Sequence, residues 1–449
     1  MSATLLGAWE KTLRGAPDAI ALIDAGSGKR FTRAQLDAAG QAWQSAHGSD
    51  LRGRTVILVE PNGPEWWRVF LGLLKSGAVI VPLDPGEPLT VQQATAERLR
   101  AAGWWNAGRW HASEGSSSRR ARDGRRIVKL TSGSTGVPRA LSFTDAQMLA
   151  DGWQVCGGMG IRAEDLNFAL IPLGHSYGLG NLVVPLLAQG TAMACGSAAL
   201  PHVIADEIAR WRPTVFPAVP ALLRALAGAE VKAEALASLR TVISAGAPLA
   251  EDVALAFHTR FGKKIHSFYG SSETGGITYD RTGDAAFTGR SVGMPLPGVR
   301  LARERGGAIT ITSAAVFTIG NRRPGSHQPK DQVAFSACGE VLLMGRAGRT
   351  IKIAGRRLDL AEVEVALRAL PGVREAFVAP HAGRAESLAA MVASDASGAE
   401  LRAALRERLA AWKIPKRIVT VAAFPLTARG KPDLARLRAL LDEDPRDRI

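Results

Sequence analysis

A chain of 449 residues, 46% hydrophobic and 22% charged, is long enough for roughly three domain-sized units with large buried cores, which excludes a disordered or low-complexity protein. Fifty-six Lys and Arg against 41 Asp and Glu give a formal charge of +15 that favours polyanionic partners, yet no basic stripe interleaved with aromatics marks a nucleic-acid platform. Cys156, Cys195 and Cys338 lie too far apart for a C-x-x-C pair or a disulfide framework, which fits a reducing, cytoplasmic setting.

The opening Met1-Ser-Ala-Thr-Leu-Leu has neither the basic start nor the sustained apolar core of a signal peptide. Thr55–Val59 predicts a strand, and Glu65–Ser76 a helix whose Trp66, Val69, Phe70, Leu73 and Leu74 recur at helical spacing as core. Further short apolar strands are predicted at Ala78–Val81, Ile127–Leu130, Phe168–Ile171, Thr214–Pro217 and Thr241–Ser244. Strands of this kind alternating with helical patterns read as stacked βαβ units. Gly115–Arg126 is polar and basic, as an exposed linker is.

Leu166–Ala205 carries no Asp, Glu, Lys or Arg, a length that could cross a bilayer. Pro172, His175, Gly178, Gly180, Asn181, Pro185 and Gln189 break it into a buried strand, a loop and a buried helix, so no membrane span is expected. After Arg346 the pattern is compact: strand Ile351–Ile353, helix Leu360–Ala369, strand Ala376–Ala379, helix Ala399–Trp412 and strand Arg417–Val421. The fold class expected is α/β, a large N-terminal domain of stacked βαβ sheets plus a small mobile α+β C-terminal domain.

Four motifs carry chemistry. In Lys129-Leu-Thr-Ser-Gly-Ser-Thr-Gly-Val-Pro-Arg139, Gly133 and Gly136 let main-chain N–H groups approach an anion, and Thr131, Ser132, Ser134 and Thr135 add hydroxyl donors. Arg139 brings a planar cationic fork to the same place, so the segment reads as an ATP site; a solvated turn is the competing reading of it alone. Tyr269-Gly-Ser-Ser-Glu-Thr274, Gly345-Arg-Ala-Gly-Arg-Thr-Ile-Lys-Ile-Ala-Gly355 and Pro425-Leu-Thr-Ala-Arg-Gly-Lys431 follow in that order. Together, from about Thr32 to Arg436, they resemble the acyl-adenylate-forming superfamily of acyl- and aryl-CoA ligases, free-standing adenylation domains and luciferases.

The resemblance implies a large AMP-binding domain over residues 1–345, a hinge at 346–350 centred on Gly348, and a small domain over 351–449 that carries the catalytic lysine. It places Thr131, Ser132, Gly133, Ser134, Thr135, Gly136 and Arg139 on the β and γ phosphates, and Tyr269 and Gly270 with Ala245, Gly246 and Ala247 around adenine. Ser272 would hold the α-phosphate, Glu273 Mg²⁺, His175 the substrate carboxylate, and Asp331 with Arg346 the ribose hydroxyls. Lys431 would bridge carboxylate and α-phosphate, a duty suited to a compact charge on a long stem. Lys352, Arg356 and Arg357 follow the hinge and could meet CoA phosphates or be solvated.

The implied activity is that of an AMP-forming acid–thiol ligase: ATP and a small carboxylic acid give acyl-AMP, and the acyl group passes to CoA. Loading of an acyl or peptidyl carrier protein through its phosphopantetheine is the alternative, and a non-catalytic nucleotide-binding relative is the second. Amino-acid activation fits less well, because Gly174-His-Ser stands where such relatives carry Asp. The chain departs from the family pattern with Arg139 for Lys, Ser272 for Thr, Gly348 for Asp or Lys and Lys330 for Gly, and Ser313–Pro329 follows no recognised pattern. Gly48–Thr55 is not a P-loop, since it precedes its strand and lacks the lysine, and Gly158–Ala163 lacks the acidic landmark of a dinucleotide turn.

Overall fold

The computed structural model describes residues 4–87, 89–113, 120–121, 123–131, 139–287, 291–318, 324–346, 350–353, 356–381, 387–409, 411–427 and 431–443. The chain divides into two units: Met1–Glu304 with Ile309–Pro329 and Phe335–Leu342, and Arg305–Ala308 with Lys330–Ala334 and Leu343–Ile449.

The first unit is built on two large sheets. The nine-stranded sheet runs in the order Met294–Pro295, Gly275–Tyr279, Ile265–Ser271, Thr241–Ser244, Val215–Ala218, Leu166–Ala169, Ala192–Cys195, Ile20–Asp24, Arg30–Thr32. Its centre is parallel and its edges are antiparallel. The six-stranded sheet runs Arg109–Ala112, Gly103–Asn106, Thr55–Val59, Val79–Pro82, Arg125–Thr131, Arg139–Thr144, again parallel only in the middle. Parallel strands covered on both faces read as unbroken apolar runs, and Val56, Ile57, Leu58 and Val59 are indeed wholly buried.

Local chemistry sets the helices between these strands. Pro64 opens the Pro64–Ser76 helix and Gly77 closes it in the left-handed conformation. Its five predicted core residues are buried, and so are Trp67 and Leu71, because the helix packs on Arg33–His47 through facing glycines. A Cβ on Gly72 would come within 2.4 Å of the Trp43 ring. The Asp145–Met159 helix starts on a capping box: Thr144 Oγ1 accepts from Gln147 N, and Gln147 Oε1 accepts from Thr144 N at 2.8 Å.

Two expectations need correction. Leu166–Ala205 holds a strand at Leu166–Ala169 and helical turns over 176–189, as predicted, but also a further strand at Ala192–Cys195. With only Ala, Met and Cys its propensity is low, and pairing with parallel neighbours on both sides overrides it. No described helix is long and apolar enough to cross a membrane. In the second unit the helix expected over Ala399–Trp412 ends at Leu405, and a short 3-10 turn follows at Ala411–Lys413. Leu401 and Leu405 anchor it in the core, and Pro415 disfavours helical backbone at Ile414.

That second unit holds a three-stranded sheet, Val373–Pro380 antiparallel to Leu388–Ser394, which is parallel to Arg417–Val421, and an antiparallel pair of Thr350–Ile353 with Arg356–Asp359. Leu360–Arg368 and Gly398–Leu405 contribute to the core with Val363, Leu367, Leu401 and Leu405, while Leu434–Asp442 packs Leu437 and Leu441 with Phe377, Met391 and Phe424.

Candidate active site

Ligands in open α/β sheets bind beyond the carboxyl ends of the parallel strands. Three predicted site segments of the first unit leave such ends. Thr241–Ser244 runs into Ala245, Gly246 and Ala247, where Gly246 takes φ +90° that a side chain would disfavour. Ile265–Ser271 carries Tyr269 and Gly270 and runs into Ser272 and Glu273. Leu166–Ala169 leads to His175, which caps the helical turn Ser176–Gly178 and whose backbone carbonyl accepts from Leu179 N at 2.8 Å.

The turn carrying Ser272 and Glu273 is closed by its own polar groups. Ser271 Oγ lies 3.0 Å from Thr274 Oγ1, and Thr274 Oγ1 donates to the Gly275 carbonyl at 3.1 Å. Ser132, Gly133, Ser134, Thr135 and Gly136 lie outside the described residues. The strand ends that flank them pair antiparallel, Thr131 opposite Arg139.

Arg139 and Glu273 are drawn together by the segment that matched no pattern. The Arg139 guanidinium lies 5.6 Å from the centre of the Phe317 ring, and Phe317 N donates to the Glu273 carbonyl at 3.1 Å. The Phe317 ring packs on Phe143 at 6.2 Å and on His327 at 5.9 Å between centroids. Gln147 fixes the segment from the neighbouring helix, donating from Nε2 to the Val316 carbonyl at 2.8 Å and to Thr318 Oγ1. Burial lowers the His327 imidazole below its usual range; Glu273 pulls it up and Arg139 pushes it down.

Sequence reasoning missed Phe317 and His327. The one signal was an apolar run, Ala314-Ala-Val-Phe, in a stretch otherwise polar or Gly/Pro-rich. Phe317 also gives Arg139 a physical context, because a planar guanidinium stacks on an aromatic face in a way that an ammonium does not.

Beneath these segments lies a charged pair that sequence reasoning also missed. Lys129 Nζ is 4.0 Å from Asp151 Oδ2, and both side chains are 3% exposed. Lys129 Nζ donates to Ser176 Oγ at 3.2 Å and sits 4.3 Å from the Phe143 ring centre. Asp151 Oδ1 accepts from Gly276 N at 2.9 Å. Burial lowers the Lys129 ammonium against the pull of Asp151 and Glu273, and raises the Asp151 carboxyl against that of Lys129 and the Gly276 N–H.

Asp331 opens the Asp331–Phe335 strand and Lys431 is exposed, and both belong to the second unit. Thr427 N and Oγ1 donate to the Lys431 carbonyl at 2.7 and 3.1 Å. The Arg346 side chain and Gly348 lie outside the described residues. Among the described residues no cluster of three or more His, Cys, Asp or Glu could hold a metal. A lone carboxylate such as Glu273 suits Mg²⁺ that takes its remaining ligands from nucleotide phosphates and water.

Residues 106–303 match the AMP-binding enzyme family and residues 362–431 the AMP-binding enzyme C-terminal domain, one in each unit. The chain is 30% identical over 342 residues to a benzoate–CoA ligase of Thauera aromatica, a match spanning 69% of this chain and 64% of that protein. It is 26% identical over 481 residues to a feruloyl-CoA synthase of an Amycolatopsis species, spanning 95% of this chain and 97% of that one. Its fold matches ATP-bound MatB from Rhodopseudomonas palustris with a TM-score of 0.85 at 21% identity, over 99% of each chain. With the motifs in order and a family match in each unit, the chain belongs to the acyl-adenylate-forming superfamily of AMP-binding enzymes, among the AMP-forming acid–thiol ligases.

Proposed function

We propose that the protein condenses a carboxylic acid with ATP to acyl-AMP and pyrophosphate, then transfers the acyl group to CoA. The observation that carries this reading is the assembly of Arg139 and Glu273 around Phe317, in the unit whose strand ends also carry Ala245–Ala247, Tyr269 and His175. An anion attacking a phosphate needs several negative charges neutralised and an in-line approach, and preorganised donors supply both.

In this reading Arg139 and the 131–136 loop hold the outer phosphates, Ser272 the α-phosphate, and His175 the acid. Mg²⁺ on Glu273 would neutralise phosphate charge when bound. Lys431 would serve the adenylation step from the second unit, and Gly348 would let that unit turn so that the hinge-following face serves thioester formation. Asp331 and Arg346 would take the ribose hydroxyls. The names of the two relatives, a benzoate and a feruloyl ligase, support an aromatic acid and CoA as the acceptor.

The test is pyrophosphate release with ATP, Mg²⁺ and a panel of acids headed by benzoate and ferulate. Release is expected with at least one aromatic acid, and mass spectrometry of reactions holding CoA or a carrier protein identifies the thiol acceptor. ATP binding without release for any acid would overturn the reading and favour a non-catalytic relative.

A further inference from the structure

We propose that Lys129 and Asp151 form a buried ionic tie that positions the His175 segment and the Glu273 turn against the Arg125–Thr131 strand. The inference rests on the functional reading above for the roles of those segments, and on geometry for the tie itself.

Each end of the pair is wired to a different part of the site. Lys129 lies in the Arg125–Thr131 strand that feeds the phosphate loop, and its Nζ donates at 3.2 Å to Ser176, the residue after His175. Asp151 accepts at 2.9 Å from Gly276, which follows the turn bearing Ser272 and Glu273. The surroundings have been cleared for the carboxylate. A Cβ on Gly275, at φ +71°, would stand 2.2 Å from Asp151 Oδ1, and one on Gly180 would stand 2.8 Å from Oδ2. The helix that carries Asp151 also holds Val316 and Thr318 through Gln147, so the same helix touches the Phe317 segment beside Arg139.

Stability alone does not account for this arrangement. Desolvating two charges is repaid only when they are close and fully hydrogen-bonded, and apolar replacements of such pairs are often neutral or stabilising. Here the gap is 4.0 Å at 3% exposure of each side chain. A pair so placed is better suited to specifying register, the best-attested use of buried ions. The ammonium and carboxylate hold three backbone segments in one arrangement that shape-matched apolar groups would leave free to shift.

The test compares the full-length protein with Lys129→Met/Asp151→Leu, which removes both charges and leaves neither ion stranded. Melting temperature, pyrophosphate release and amide hydrogen exchange are measured for both. Expected is a melting temperature equal to or above the parent, kcat lowered by at least about 10-fold with a smaller change in KM for ATP, and faster exchange confined to residues 172–180 and 270–277. The single changes Lys129→Met and Asp151→Asn should be worse than the double, because each strands a charge. A double variant with parental exchange in those segments, or with kcat within about 2-fold of the parent, overturns the proposal. Should the parent release no pyrophosphate with any acid, the functional reading fails while the exchange comparison still decides the tie.

Discussion

The floor of the first unit and Lys431 of the second handle charge in opposite ways. Lys129 and Asp151 are dry, each 3% exposed, and bond to the Ser176 hydroxyl and the Gly276 N–H. Lys431 is exposed, and its carbonyl accepts from Thr427. A buried charge is expensive and therefore fixed, whereas a charge at an exposed position costs the fold little. The contrast separates groups that hold a site's shape from one suited to meeting an anion directly.

The sharpest break of that contrast is Lys431→Ala. If the exposed amine works directly on the reacting phosphate, pyrophosphate release should fall by about 10²–10³-fold, the range seen for loss of one preorganised donor. The melting temperature should not move, and release within about 10-fold of the parent removes the assigned role. For the dry pair the order of effects reverses: Asp151→Leu alone leaves an ammonium buried, and chemical denaturation should show a loss of about 3–5 kcal/mol. An unchanged denaturation midpoint would mean that water reaches Lys129.

A smaller effect is expected from Phe317→Leu, which removes the face on which Arg139 rests. A cation–π contact of about 1 kcal/mol corresponds to roughly a 5-fold rise in KM for ATP, with kcat little changed. In the Arg139→Lys background the same substitution should matter less, and additive effects would show that the two residues act separately. The least expected effect probes dryness itself. Burial, then Asp151, then Asp165 push the Cys156 thiol up to about 12, and burial raises Cys195 as well, whereas Cys338 is exposed. Labelling of the native protein with a thiol reagent between pH 7 and 9 should therefore modify Cys338 only, because thiolate at Cys156 forms only near pH 12. Fast labelling of Cys156 would mean that the helix bearing Asp151 opens.

Some of the local structure could be read residue by residue. The motif Tyr269–Thr274 lies at the end of the Ile265–Ser271 strand and in the polar turn after it. The Glu65–Ser76 helix could be read because its apolar spacing and its Pro and Gly caps agree. Ala192–Cys195 could not, since its pairing partners lie outside its own sequence. Lys129 in the middle of Ile-Val-Lys-Leu did carry a warning, a charge in an otherwise buried strand that must find a partner, but nothing local pointed to Asp151. Phe317 was hidden for the same reason, in a segment that resembled nothing.

What the sequence by itself determined is the family and the fold class, through four ordered motifs and an alternation of strands and helices. Those signals are local, decided by side-chain type and spacing over a few residues. Only the tertiary structure decided which residues share a neighbourhood, placing Ser176 on Lys129, Gly276 on Asp151, and Phe317 between Arg139 and Glu273. Contacts across such sequence separations are settled by how sheets and helices pack, and packing sums many weak preferences that no single motif contains.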